Sequence, residues 1–215
     1  MPRPSGRRRQ VVALLAHRGV VFGLALALCI ARLRGGARQA TRERFGIKPD
    51  DTLLLFVGSG WERKGLRFVL RAFHRLKAPR VKLLIVGKGN PPFAVPDGAI
   101  FAGPMSDVEN AYAAADLLLF LPIYEPASNV VAEALVADLP VITSSLNGAS
   151  EIITPRKNGT VIADPRDTDA VVEAIRFWIL QRGQAEMPPK YELSLERNVE
   201  ETLAVLQLAA RENRR

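Results

Sequence analysis

Residues 52–86 read TLLLFVGSGWERKGLRFVLRAFHRLKAPRVKLLIV, and their pattern decides the fold class. Thr52–Val57 is a continuous apolar run that ends in Gly58-Ser59-Gly60. Residues 66–77 follow, with Leu66, Val69, Leu70, Phe73 and Leu76 at the three-and-four spacing of one helical face. Val81–Val86 is a second apolar run, closed by Gly87. Strands with one wet face would alternate apolar and polar residues. Continuous apolar runs joined by a helix instead indicate parallel strands covered on both faces.

The same alternation extends to the C-terminus. Strands are expected at 99–102, 117–121, 141–143 and 160–163, and helices at 107–115, 129–137 and 167–181, with a helical turn at 149–153. Met187-Pro188-Pro189 reads as a connector before an amphipathic segment at 195–210 that begins with Glu196, Glu200 and Glu201. No internal repeat interrupts the body. The expected class is α/β: a single Rossmann-like, doubly wound parallel sheet over residues 46–215.

Composition narrows the function classes. The 215 residues are 48% apolar, which argues against intrinsic disorder, and Cys29 as sole cysteine excludes a disulfide scaffold. The formal charge is +8, but it is unevenly placed. Residues 1–49 hold ten Arg and Lys48 against Glu43 alone, leaving nineteen basic and twenty-one acidic side chains in the rest. A near-neutral body does not present a basic nucleic-acid face across the whole fold. Nucleic acid is therefore not an expected partner.

The basic surplus belongs to an N-terminal arm, residues 1–45. After Arg7-Arg8-Arg9, its longest uninterrupted apolar stretch runs from 19 to 31, thirteen residues against the roughly 20 needed to span a bilayer. Cys29-Ile30-Ala31 makes a poor signal-peptidase site. Two readings stand: a remnant without a role of its own, or an interfacial helix held by Arg on anionic lipid. The second would place the chain in the cytoplasm, peripheral at the inner face of the membrane.

In doubly wound sheets ligands bind beyond the carboxyl ends of the strands. The loop after the first strand, Gly58 to Gly65, lacks the Gly-Lys-Ser/Thr of a P-loop and the third glycine of a dinucleotide fingerprint. It offers flexible backbone and two adjacent cations, Arg63 and Lys64, at a helix N-terminus, a combination suited to a diphosphate. By itself, such a pair also reads as a solvated turn. The loop after 117–121 carries Glu125, and Glu133 follows eight residues later among Val130, Val131, Ala134 and Leu135 on the next helix. A carboxylate one turn below the amides of 127–130 can accept both hydrogen bonds of a ribose diol. A loop carboxylate can reach hydroxyls further along the ligand. An exposed helix glutamate is the plain alternative.

Taken together, Tyr124-Glu125-Pro126-Ala127-Ser128-Asn129-Val130-Val131-Ala132-Glu133-Ala134-Leu135 and Leu139-Pro140-Val141-Ile142 resemble the Glu-x7-Glu motif of retaining GT-B glycosyltransferases. More narrowly they resemble family 4, in which Gly58-Ser59 with Arg63-Lys64-Gly65 would be the diphosphate loop. Asn158-Gly159 and Pro165-x-Asp167 fit the same order. Within the family the spacing most resembles the lipopolysaccharide core glucosyltransferases. The resemblance covers about residues 40–210.

That resemblance implies a donor-binding half of a GT-B fold and hexosyl transfer from a nucleotide sugar, with a uridine diphosphate carrier, to a glycan or glycolipid. It implies Glu125, Arg63 and Lys64 as catalytic residues: Glu125 at the donor sugar, the two cations on the leaving diphosphate. It also implies Gly58, Ser59, Ala127, Ser128, Asn129 and Glu133 as substrate-binding residues, Glu133 holding the ribose. No metal or other cofactor is expected, because cations and a helix dipole stabilise the leaving group. His17 and His74 are expected to be a tail residue and a helix-surface residue. Two departures stand out. Asp138 occupies a position before Leu139-Pro140 where the family carries Gly, at a helix end that favours positive φ. The family's acceptor domain, expected upstream, does not fit in 45 residues. The expectation is a truncated or mis-started enzyme, or one chain whose acceptor-domain partner is separate. A non-catalytic sugar-nucleotide-binding module is the alternative from another class.

Overall fold

The computed structural model describes residues 37–187 and, beyond them, helical positions 200, 203, 204, 206, 207 and 211. The expected features at 1–36, including His17 and Cys29, and most of the segment 195–210 lie outside the described residues. The elements in chain order are α1 (Arg38–Arg44), β1 (Thr52–Val57), α2 (Leu66–Leu76), β2 (Val81–Val86), β3 (Ala99–Gly103), α3 (Val108–Ala114) and β4 (Leu117–Phe120). They continue with α4 (Asn129–Val136), β5 (Val141–Ser144), a 3-10 turn (Gly148–Ile152), β6 (Gly159–Ile162) and α5 (Thr168–Leu180).

All strand pairs are parallel, and the sheet order is β3-β2-β1-β4-β5-β6. The sheet is doubly wound, as the continuous apolar runs require. Leu53 to Phe56, Leu83 to Ile85 and Leu118 to Leu121 are fully shielded from solvent. Each such side chain contributes roughly 1.5–3 kcal/mol relative to exposure. The chain runs from β1 outward to β3, then returns to place β4 on the other side of β1. That reversal opens a crevice at the carboxyl ends of β1 and β4, where this architecture binds ligands.

Helix ends fall within a residue of the sequence pattern. Asp138 follows α4 in the left-handed region at φ 59°, the conformation anticipated for the glycine it replaces. The sequence pattern does not anticipate α1. Residues 38–44, assigned from the sequence to the arm, form a helix docked on the body. Arg42 is 3% exposed and donates to the carbonyls of Ala114, Lys48 and Asp51 at 2.9, 2.9 and 2.6 Å. Arg38, Arg42 and Arg182 converge on Asp116, whose Oδ2 also accepts the amide of Leu53 at 2.8 Å. Burial lowers the Arg42 pKa, and the charge of Asp116 opposes that shift. This knot ties α1 to the amino ends of the central strands, away from the crevice, so the body begins no later than residue 37.

Candidate functional site

Two loops meet at the reversal point. In the loop after β1, Lys64 N donates to Gly60 O at 3.1 Å and Leu66 N to Trp61 O at 3.0 Å. The Trp61 ring is buried between Phe56 and Phe101, at centroid distances of 6.2 and 5.8 Å, and anchors the turn. Gly65 has φ 79°, and a Cβ there would sit 1.7 Å from the carbonyl oxygen of Leu121. Only glycine allows the two loops this approach.

The loop after β4 is fastened on both sides. Ile123 N donates to Arg63 O at 3.0 Å, and Ser144 Oγ donates to Pro122 O at 2.6 Å. Glu125 N donates to Leu146 O at 3.1 Å and Gly148 N to Glu125 O at 2.9 Å. The Glu125 backbone is thereby pinned to the loop that follows β5, and Ile123 just before it to the loop that follows β1.

The structure brings the three expected catalytic residues together. Arg63 Nη1 and Lys64 Nζ both donate to Glu125 Oε2, at 2.7 and 2.5 Å. Lys64 Nζ also lies 5.3 Å from the centre of the Phe120 ring. Glu125 is buried and Arg63 half-exposed. Two cations share one carboxylate, so the cluster keeps a surplus positive charge at the mouth of the crevice. Such a cluster can accept an anion without moving backbone.

Glu133 is half-buried on α4, and the hydroxyl of the buried Tyr112 on α3 donates to its Oε2 at 2.7 Å. Burial raises the Glu133 pKa above the usual carboxylate value, and the Tyr112 hydrogen bond partly offsets this. Sequence reasoning missed Tyr112: on an Ala-rich helix twenty-one residues away, nothing local couples it to Glu133.

At the start of α4, Ser128 is the N-cap but makes no side-chain cap hydrogen bond. Its Oγ is buried and lacks a hydrogen-bond partner among the described residues. Leaving a buried hydroxyl unsatisfied costs about 1–3 kcal/mol, which a ligand could remove. Ala127 and Asn129 flank it, half-buried. Gly58 lies against the Lys64 stem and extends β1 through Gly58 N to Val86 O at 2.9 Å. Ser59 is exposed and turned the other way, its Oγ accepting the amide of Lys88 at 2.9 Å. The geometry therefore ties Ser59 to the loop after β2 rather than to the charged cluster. His74 is on the exposed face of α2. Among the described residues no group of three or more His, Cys, Asp or Glu is placed to hold a metal ion, and no helix is long and apolar enough to cross a membrane.

Known proteins are similar to this chain in sequence and fold. The lipopolysaccharide glucosyltransferase WaaG of Escherichia coli (strain K12) is 34% identical over 156 residues, covering 67% of this chain and 42% of that protein. The crystal structure of WaaG, a glycosyltransferase involved in lipopolysaccharide biosynthesis, superposes with a TM-score of 0.60 over the same shares of the two chains. An uncharacterized glycosyltransferase, MJ1607, of Methanocaldococcus jannaschii is 27% identical over 78% of this chain and 48% of its own length. The chain thus spans less than half the length of these relatives. Anabaena HepE in complex with UDP-glucose shares the fold at 15% identity, with a TM-score of 0.60 over 80% of this chain. The family described as "Glycosyl transferases group 1" matches residues 51–180, and the chain belongs to that family of GT-B glycosyltransferases.

Proposed function

We propose that the body of this chain binds the donor nucleotide sugar of a retaining hexosyltransferase, the donor being a uridine diphosphate sugar and the acceptor a glycan or glycolipid. The observation that carries this reading is the convergence of Arg63 and Lys64 on Glu125 at the crevice between β1 and β4. Arg63 and Lys64 take the diphosphate, helped by the N-terminus of α4 and the unsatisfied Ser128 hydroxyl. Glu133, held by Tyr112, accepts hydrogen bonds from the ribose diol. Glu125 turns toward the hexose once the diphosphate draws its two cations away.

In transfer, the bond between the anomeric carbon and the diphosphate oxygen breaks, the acceptor hydroxyl oxygen forms the new bond to that carbon, and the hydroxyl proton passes to the departing diphosphate. The leaving diphosphate gains charge, and the preorganised cations stabilise it as it departs, so no metal is needed. Likeness to WaaG supports a lipopolysaccharide or related glycolipid acceptor, and the UDP-glucose seen in HepE supports the donor class. The acceptor must be held near the donor carbon, and that positioning supplies several kcal/mol of the barrier. The described residues supply the donor side. Acceptor binding falls to a further domain or a partner chain.

Calorimetric titration with UDP-glucose, UDP and uridine tests the reading. Saturable binding in the order UDP-glucose, UDP, uridine is expected, with the step from uridine to UDP the largest. Equal or absent binding of UDP and uridine would overturn it.

A further inference from the structure

From residue 63 to residue 96 the sequence holds nine Lys and Arg and no Asp or Glu. The near-neutral body therefore conceals a local positive face. Some of these charges are committed: Arg63 and Lys64 to Glu125, Arg67 to Glu62, and Arg75 to Asp169. Arg71, Lys77 and Lys82 have no ion-pair partner among the described residues.

These three free cations and the exposed His74 surround a cavity of about 970 Å³. It lies between the C-terminal half of α2, the start of β2 and residues 94–98. Leu70, Phe73 and Val81 supply apolar lining, and Asp97 is its one acidic residue. The adjoining loop, Pro91-Pro92-Phe93-Ala94-Val95-Pro96, carries no charge, and Pro92, Ala94 and Val95 in it are exposed. The cavity sits toward the amino ends of β2 and β3, so it is separate from the crevice that would hold the donor.

Cations around a concave apolar surface, beside an uncharged apolar loop, match the two layers of a lipid interface: anionic headgroups over acyl chains. A single-stranded nucleic acid would instead want exposed aromatic rings. Phe93, the aromatic residue of the loop, is half-buried with the Arg67 guanidinium over its ring at 5.2 Å. We propose that this basin docks the protein on an anionic phospholipid bilayer, lipid phosphates seating among Arg71, Lys77 and Lys82 and residues 92–95 resting on the acyl boundary. This goes beyond donor binding and stands whether or not the donor assignment holds.

The test is co-sedimentation of the full chain with vesicles of phosphatidylcholine alone and of phosphatidylcholine mixed with phosphatidylglycerol. Each cation near such a surface is worth about fivefold in partitioning, so R71Q/K77Q/K82Q should lose on the order of a hundredfold on anionic vesicles. Val95→Asp should also weaken binding, through the apolar loop. K157Q/R166Q/R176Q removes the same charge from exposed positions near β6 and α5 and should cost far less. Far-ultraviolet circular dichroism and the urea unfolding midpoint should be unchanged in all three variants, which reports that each is folded. Equal losses from the two triple variants, or no loss from the first, would overturn the proposal by assigning binding to net charge or to residues 1–36. Displacement from vesicles by glycerol phosphate, at concentrations too low to screen charge, would overturn it in favour of a small-anion site.

Discussion

Glu125→Gln should separate folding stability from nucleotide affinity. In the unliganded protein its Oε2 accepts from both Arg63 and Lys64. The Arg63 side chain is 49% exposed, so its contact contributes only a few tenths of a kcal/mol after screening. Lys64 and Glu125 are 16% and 10% exposed, and a shielded charged hydrogen bond of this kind contributes about 1.5–3 kcal/mol. An amide keeps the shape and one acceptor but loses the charge. Urea unfolding should therefore show a loss of about 2–3 kcal/mol. UDP binding should move the other way, because the cations no longer share their charge with a carboxylate. Calorimetry should find UDP affinity unchanged or increased, while the additional affinity of UDP-glucose over UDP shrinks. A tenfold loss of UDP affinity, in step with the stability loss, would refute the division of roles.

Two further perturbations probe the supports of the site. Burial gives Glu133 a raised pKa, so the folded protein binds that proton more tightly than the unfolded chain. Its carboxylate form thus costs stability at higher pH, and the cost is relieved as pH falls through the raised pKa. Ribose binding needs the carboxylate, so UDP affinity should weaken over the same fall. Tyr112→Phe removes the bond that opposes the shift, and the midpoint of UDP affinity against pH should move upward; an unmoved midpoint in calorimetry would remove Tyr112 from the account. Gly65→Ala must relieve a 1.7 Å approach to a backbone oxygen as well as a left-handed φ. Chemical denaturation should report a loss of about 3 kcal/mol or more, and one below about 1 kcal/mol would show that the two loops are not in contact as described.

The legible parts of the fold are those in which burial writes itself as periodicity. β1, with Leu53 to Phe56 fully buried, has the bounds its apolar run predicts. α2 shows its inner face through Leu66, Val69, Leu70, Phe73 and Leu76. Asp138 was readable because the backbone at a helix end has few options. Helix α1 (RQATRER) was not. It is held by Arg38 and Arg42 on Asp116 and on carbonyls, and a polar attachment of that kind leaves no apolar period. At the candidate site, the loop positions were legible because the strand order fixes which loops meet at the crevice. Their present partners were not: that both cations close on Glu125, that Ser59 caps the Lys88 amide, and that Tyr112 holds Glu133 are contacts made across the fold. Composition also misled locally, since the near-neutral sum hides the acid-free stretch from 63 to 96.

The most direct test of the donor-site assignment is the affinity of Glu133→Gln for UDP and for the UDP analogue that lacks both ribose hydroxyls. If Glu133 holds the ribose diol, the variant should bind UDP about ten- to a hundredfold more weakly than the unmodified chain, and the two proteins should bind the deoxygenated analogue alike. Equal affinities for UDP, or equal losses for both ligands, would contradict the placement of the nucleotide on α4.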